Sequence, residues 1–259
     1  MRISACLIFI GLAYATEGAP SPPTVSKDAF IEAPIDIKDV CNAPIGKFNY
    51  QVSLRLENGT HICSGSILDD LNVLTTANCV FEWKCSLNKI QIYAGTNLLN
   101  ESRYIYDINS IIIHQNYDPY LFVNDIALIH LNVPMGFNVL VHPINLPKSN
   151  QSFEGKPCTL AGWAKTNGQE LQETELIVYK QKECAKYHWQ LTGNSHICTS
   201  AQNRTVVCQN DFGAPLVVNG VQIGIASFGN SCNAGEPDVY TRVGSFLSWI
   251  NENLKTKDT

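Results

Sequence analysis

From Tyr50 onward the chain breaks into short apolar or alternating runs, and this limits its fold more than any other feature. YQVSLRL, KIQIYAG, YDINSIIIHQ, DIALIHL, CTLAGWA, ELIVYK, APLVVNGVQIGIASFG and DVYTRV follow one another, with Gly, Pro and Asn between them. Short runs bounded by turn residues make strands, and many strands with little helix between them make an all-β sandwich or barrel. One segment has a different period. In GSFLSWINENL, the residues Phe246, Leu247, Trp249, Ile250 and Leu254 fall at roughly helical spacing, so a C-terminal amphipathic α-helix is expected. A chain of 259 residues is long for a typical domain but ordinary for a large all-β one.

The N-terminal end has another character. MRISACLIFIGLAYATEGAP places one Arg before an apolar run from Ile3 to about Ala13, followed by the small-x-small pattern AYA. This is the pattern of a signal peptide, residues 1–15. The run is too short for the roughly 20 residues of a membrane span. Residues 16–36 are Pro-rich and aperiodic, which suits a pro-segment or N-terminal extension ahead of a folded domain at 37–259. A secreted protein with no membrane partner is expected. Of 10 cysteines, Cys6 leaves with the signal. An odd number remains, so in an oxidising compartment at least one thiol is free or paired between chains. Four N-x-[ST] sequons, at Asn58, Asn100, Asn150 and Asn203, are candidate glycan acceptors on the surface.

A formal net charge of −5, without any Lys/Arg cluster, excludes a nucleic-acid role that would need a basic face. The six histidines form no HExxH pattern, and the cysteines form no CxxC pattern, so no metal or cofactor is expected. His188 and His196 read as surface or internally hydrogen-bonded groups.

YQVSL at 50–54, CSGSIL at 63–68, DIALIHL at 125–131, AGWA at 161–164, CQNDFGAPLV at 208–217 and VYTRVGSFLSWI at 239–250 occur together in one order. By these phrases the chain resembles the trypsin/chymotrypsin family of serine proteases, from about Ile37 to Leu254. The resemblance implies two six-stranded antiparallel β-barrels, an active site in the cleft between them, and the C-terminal helix. The last phrase is most similar to mite gut trypsins and the mite group 3 trypsin-like allergens. The losses described next resemble those of the scabies mite inactivated protease paralogues.

In that family the catalytic order is His, Asp, Ser. The base position, in a phrase like TAAHC, is Asn78 in LTTANC; the Asp is kept as Asp125; the nucleophile position, in a phrase like GDSGGP, is Phe212 in NDFGAP. An amide is no base near neutral pH, so it cannot take the proton of an attacking hydroxyl or return it to a leaving amine. A phenyl ring has no lone pair with which to attack a carbonyl. In subtilisin, removing the nucleophile or the base alone lowers the rate about 10⁶-fold. No catalytic residue is therefore expected, and Asp125 is expected as a buried, hydrogen-bonded carboxylate.

The resemblance places a former oxyanion hole at the backbone of Asn210 and Phe212, with Asn210 standing where Gly is usual. Ala214 adds a methyl to a tight turn. The former specificity pocket would comprise Val206, Ser227, Gly229 and Asp238, with Val206 replacing the trypsin Asp and Asp238 replacing the Gly of PGVY. Ile37, the would-be new N-terminus, follows Asp36 and not Lys or Arg, so Asp211 needs another partner in place of the activation ammonium.

Three disulfides carry over by resemblance, Cys63–Cys79, Cys184–Cys198 and Cys208–Cys232. Cys41, Cys85 and Cys158 have no match, and a Cys41–Cys158 pair is expected, leaving Cys85 free or intermolecular. Gly95 is followed by Thr96 where the family's calcium loop opens with an acidic residue, so calcium is not expected. The implied function is a secreted, inactive homologue acting by protein contact, its partners host plasma proteins, complement components among them, in a mite gut. The alternatives are a residual or non-standard serine endopeptidase, using Ser227 for example, and a decoy for protease inhibitors.

Overall fold

The computed structural model describes residues 41–101, 103–163, 170–188, 193–200, 211–228 and 237–256. A two-residue strand β1 (Cys41–Asn42) precedes β2 (Gln51–Leu56), β3 (His61–Ile67) and β4 (Asn72–Thr75). A single turn α1 (Ala77–Val80) leads to β5 (Ile90–Ala94), β6 (Tyr104–Ile113) and β7 (Ala127–Leu131). The second half holds β8 (Pro157–Gly162), β9 (Gln172–Val178), α2 (Gln181–Cys184), β10 (His196–Ser200), β11 (Pro215–Val218), β12 (Val221–Phe228), β13 (Asp238–Arg242) and α3 (Leu247–Asn253).

Every ladder is antiparallel. The strands β2-β3-β4-β7-β6-β5 close one six-stranded barrel. The strands β9-β10-β13-β12-β11-β8 close a second through the β8–β9 ladder, and β1 adds to the edge of β9. Closure removes the exposed sheet edges that would otherwise template aggregation. The all-β, two-barrel expectation and the C-terminal helix both hold.

Each barrel is filled by its alternating apolar residues. Val52, Leu54, Ile67, Val73, Ile92, Ile129 and Leu131 fill the first, and Leu160, Leu176, Val178, Ile197, Leu216 and Tyr240 fill the second. The intervening residues of β2 and β3 are polar, yet buried as well. Two of them reach the other barrel: Gln51 Nε2 donates to Ala161 O (2.9 Å) and Ser66 Oγ donates to Gln222 Oε1 (2.7 Å). Arg55, 2% exposed, donates to the carbonyls of Leu99 (2.6 Å) and Glu101 (3.1 Å) and lies over the Tyr93 ring, so the loop after β5 closes on a built-in cation. The helix α3 seals the side of the molecule with Phe246, Trp249 and Ile250 against Leu74, Leu128 and Ile225.

Cys63–Cys79 and Cys184–Cys198 are formed as expected. Each closes a loop of about 15 residues, which stabilises by roughly 3 kcal/mol. The expected Cys41–Cys158 pair is not made. Cys158 on β8 is buried, its Sγ donating to Leu176 O, while Cys41 on β1 is exposed beside Glu173. Strands β1 and β8 are both registered on β9, Cys41 opposite Glu173 and Cys158 opposite Leu176, so the two thiols lie three β9 positions apart. Cys85 is exposed and free. The Cys208–Cys232 pair, the segments 1–15 and 16–36, Ile37, Val206, Asn210, Gly229 and the Asn203 sequon lie outside the described residues. Asn58, Asn100 and Asn150 are exposed.

Candidate active-site cleft

Asn78 sits in α1, and three features pin that short turn. Thr76 is its N-cap, with Oγ1 accepting from the Cys79 N–H (3.4 Å). Cys79 is bonded to Cys63 of β3. The N–H of Asn78 itself donates to Asp125 Oδ1 (2.8 Å). Asn78 thus reaches Asp125 through its backbone.

Asp125 lies just before β7 and is fully buried. Its second oxygen, Oδ2, accepts from Ser227 Oγ at the end of β12 (2.5 Å), and its backbone carbonyl accepts from Thr241 Oγ1 of β13 (2.7 Å). Both barrels therefore hold it. Burial pushes its pKa up to about 7, and the hydrogen bonds from Ser227, Asn78 and Ala77 pull the other way. Ser227 is itself fully buried with its hydroxyl committed to Asp125, which leaves it badly placed as a nucleophile.

Phe212 occupies the turn before β11. Its carbonyl accepts from the Ser64 N–H of β3 (2.8 Å), Gly213 N–H donates to Ala226 O (2.8 Å), and Ala214 N–H donates to Asp211 O (2.9 Å). Gly213 has φ +83°, and a Cβ there would lie 2.0 Å from Ser64 O, so only glycine lets the turn approach β3 so closely. The half-buried ring of Phe212 packs against the cores of both barrels. Ala214 is fully buried within the second core, and its φ is not positive. Asp211 is buried with its carboxylate directly over Gly162, where a Cβ would lie 1.8 Å from Oδ1.

Asp238 is also buried, on β13 opposite Thr199. His188 Nε2 donates to Pro237 O (2.8 Å) and His196 Nε2 to Phe122 O (3.1 Å), so both histidines are satisfied internally. Among the described residues no group of His, Cys, Asp or Glu is arranged to hold a metal ion, and no helix is long and apolar enough to cross a membrane. The structure thus brings Asn78, Asp125, Ser227 and Phe212 to one seam. Thr241, Gly213 and Gly162, which hold that seam, were not singled out from the sequence. Gly213 and Thr241 lie inside the quoted phrases NDFGAP and VYTRV, and their position there was the only available signal.

A family model described as Trypsin matches residues 37–250. Among curated proteins the chain is 42% identical over 217 residues to Chymotrypsin-2 of Vespa crabro, covering 82% of this chain and 97% of that one. It is 35% identical over 217 residues to Serine protease 1 of Rattus norvegicus, covering 79% and 84%. Among solved structures it is similar to the HL collagenase at 29% identity and a TM-score of 0.73, covering 83% of this chain and 98% of the other.

Proposed function

The chain belongs to the trypsin family, and from that premise we propose that it is a proteolytically inactive member that acts by binding other proteins. One observation carries this reading. At the seam where a nucleophile would have to face the cleft, the chain has Phe212, whose ring packs against both barrel cores. Asn78 supports it, since its amide cannot accept the proton that a hydroxyl must lose. Asp125 has no imidazole to orient, and its oxygens are taken up by Ser227 and the backbone of α1. The scaffold meanwhile keeps its two described disulfides and both closed barrels, a rigid frame for recognition loops.

The leader, the disulfides and the exposed sequons support secretion. The resemblance to the scabies mite inactivated paralogues supports a narrower role, interference with host complement or other plasma defences in the gut lumen. The test has two parts. Purified, folded protein should give no saturable turnover on a broad fluorogenic peptide library above a heat-treated control, and turnover would overturn the inactive reading. Saturable capture of complement components from host serum is expected, and a blank from folded protein would remove the complement role alone.

A further inference from the structure

Beside the degenerate seam the first barrel carries an open groove of about 310 Å³. Ile111 and Ile113 of β6 line it together with Phe81, Lys84, His114 and Tyr117. Phe81 is the residue that ends α1, the turn that bears Asn78. Tyr117 lies close enough to Asp125 for that carboxylate to help raise its phenol pKa, so the groove borders the seam.

The groove has a definite chemistry. Its apolar surface is aromatic and aliphatic: the Phe81 and Tyr117 rings meet edge to face at 5.7 Å, and Phe81 stays 39% exposed. Lys84 Nζ lies 4.7 Å over the Phe81 ring and makes no ion pair among the described residues. Burial, Asp125 and Asp118 all raise the Tyr117 phenol, so its O–H stays a donor. Burial lowers the pKa of His114, whose ring meets Phe246 edge-on and Trp249 at a tilt, and this favours the neutral imidazole. No carboxylate lines the groove, which leaves Lys84 as its one full charge. Asp118 turns its Oδ1 into its own loop, accepting from the Tyr120 and Leu121 N–H groups (2.8 and 3.1 Å). That capped loop presents Tyr120, 90% exposed.

Resting on the reading that the chain acts by protein contact, we propose that this groove docks an acidic loop of a partner protein. An aromatic or aliphatic side chain of that loop seats on Phe81, Ile111 and Ile113, and a carboxylate meets Lys84 Nζ. Charge complementarity selects this occupant: an ammonium with no ion pair among the described residues borders an apolar floor lined by no carboxylate. A basic loop would bring like charge to Lys84.

The test uses the full mature chain and fluorescein-labelled peptides with a Tyr-x-Glu core, read by fluorescence anisotropy against Tyr-x-Gln, Tyr-x-Lys and Ala-x-Glu versions. The Tyr-x-Glu peptide is expected to bind best. Lys84→Glu and Phe81→Ala should each weaken it about tenfold, and Lys84→Gln should weaken it less while removing most of its salt dependence. Circular dichroism checks that each exposed-site variant is folded. Equal binding of the Glu and Lys peptides, indifference to Lys84→Glu, or no binding of any peptide overturns the proposal. Self-association of the protein alone that Phe81→Ala abolishes would also overturn it, by making a second copy the occupant. Turnover of a fluorogenic substrate by the same preparation would defeat the inactive reading and leave the peptide result to stand separately.

Discussion

Asp125 keeps a polar socket, whereas Phe212, at the same seam, has an apolar one. Asp125 is fully buried and receives hydrogen bonds from both barrels through Asn78 N–H, Ser227 Oγ and Thr241 Oγ1. Removing any of them would strand a buried acceptor, so the socket is held by its own hydrogen bonds. Phe212 presents a phenyl ring that packs against both cores. A buried polar site is held by its partners, but a cleft-facing site can change chemistry when an apolar side chain fills the space.

The turn beneath Phe212 offers the harshest test. Gly213→Ala combines a positive φ with a Cβ 2.0 Å from Ser64 O. It should cost about 4 kcal/mol or more, or prevent folding. Urea unfolding with little loss of stability would show that the Phe212 turn is less tightly tied to β3 than its geometry implies.

The Asp125 side is tested by pH. Its folded pKa lies at about 7, against 3.8 for an ordinary aspartate, because burial disfavours the charged form. Between those values unfolding releases a proton. Stability is therefore greatest below the lower value, falls as pH rises through the window, and levels off above about 7. The span corresponds to a loss on the order of 4 kcal/mol. Asp125→Asn, isosteric and uncharged, should flatten this part of the profile and exceed the parent protein in stability at pH 8. Parallel pH profiles in thermal unfolding would mean that a cation balances the carboxylate.

Phe212→Ala should cost about 2 kcal/mol, less than a fully buried Phe because the ring is only half-buried. It should leave the protein inactive, so a stability loss without gain of turnover is the expected pair of readings. The smallest effect is Ala214→Gly. Restoring the residue usual in the family removes a methyl from the second core and should cost about 1 kcal/mol, detectable as a small drop in melting temperature. Stabilisation instead would mean that the methyl strains its turn.

Sequence alone reached the strand-rich architecture, the terminal helix and the two described disulfides, the last by resemblance. The reading of Asn78 and Phe212 as residues that supply no base and no nucleophile rests on residue type alone, because an amide or a phenyl ring has the same chemistry in any fold. Period-two alternation is likewise local, so QVSLRL and DVYTRV signalled strands without knowledge of their neighbours. Tertiary structure decided which faces were buried. Gln51, Ser53 and Arg55, the polar face of β2, are buried, with Gln51 bonded to Ala161 of the second barrel and Arg55 to the 98–101 loop. The bonds that hold Asp125 to Ser227 and Thr241 span 102 and 116 residues, and no local period reports a contact of that separation. The same holds for Cys158, whose pairing turned on its register with β9, and for Phe212, whose two-sided packing exists only once both barrels have closed.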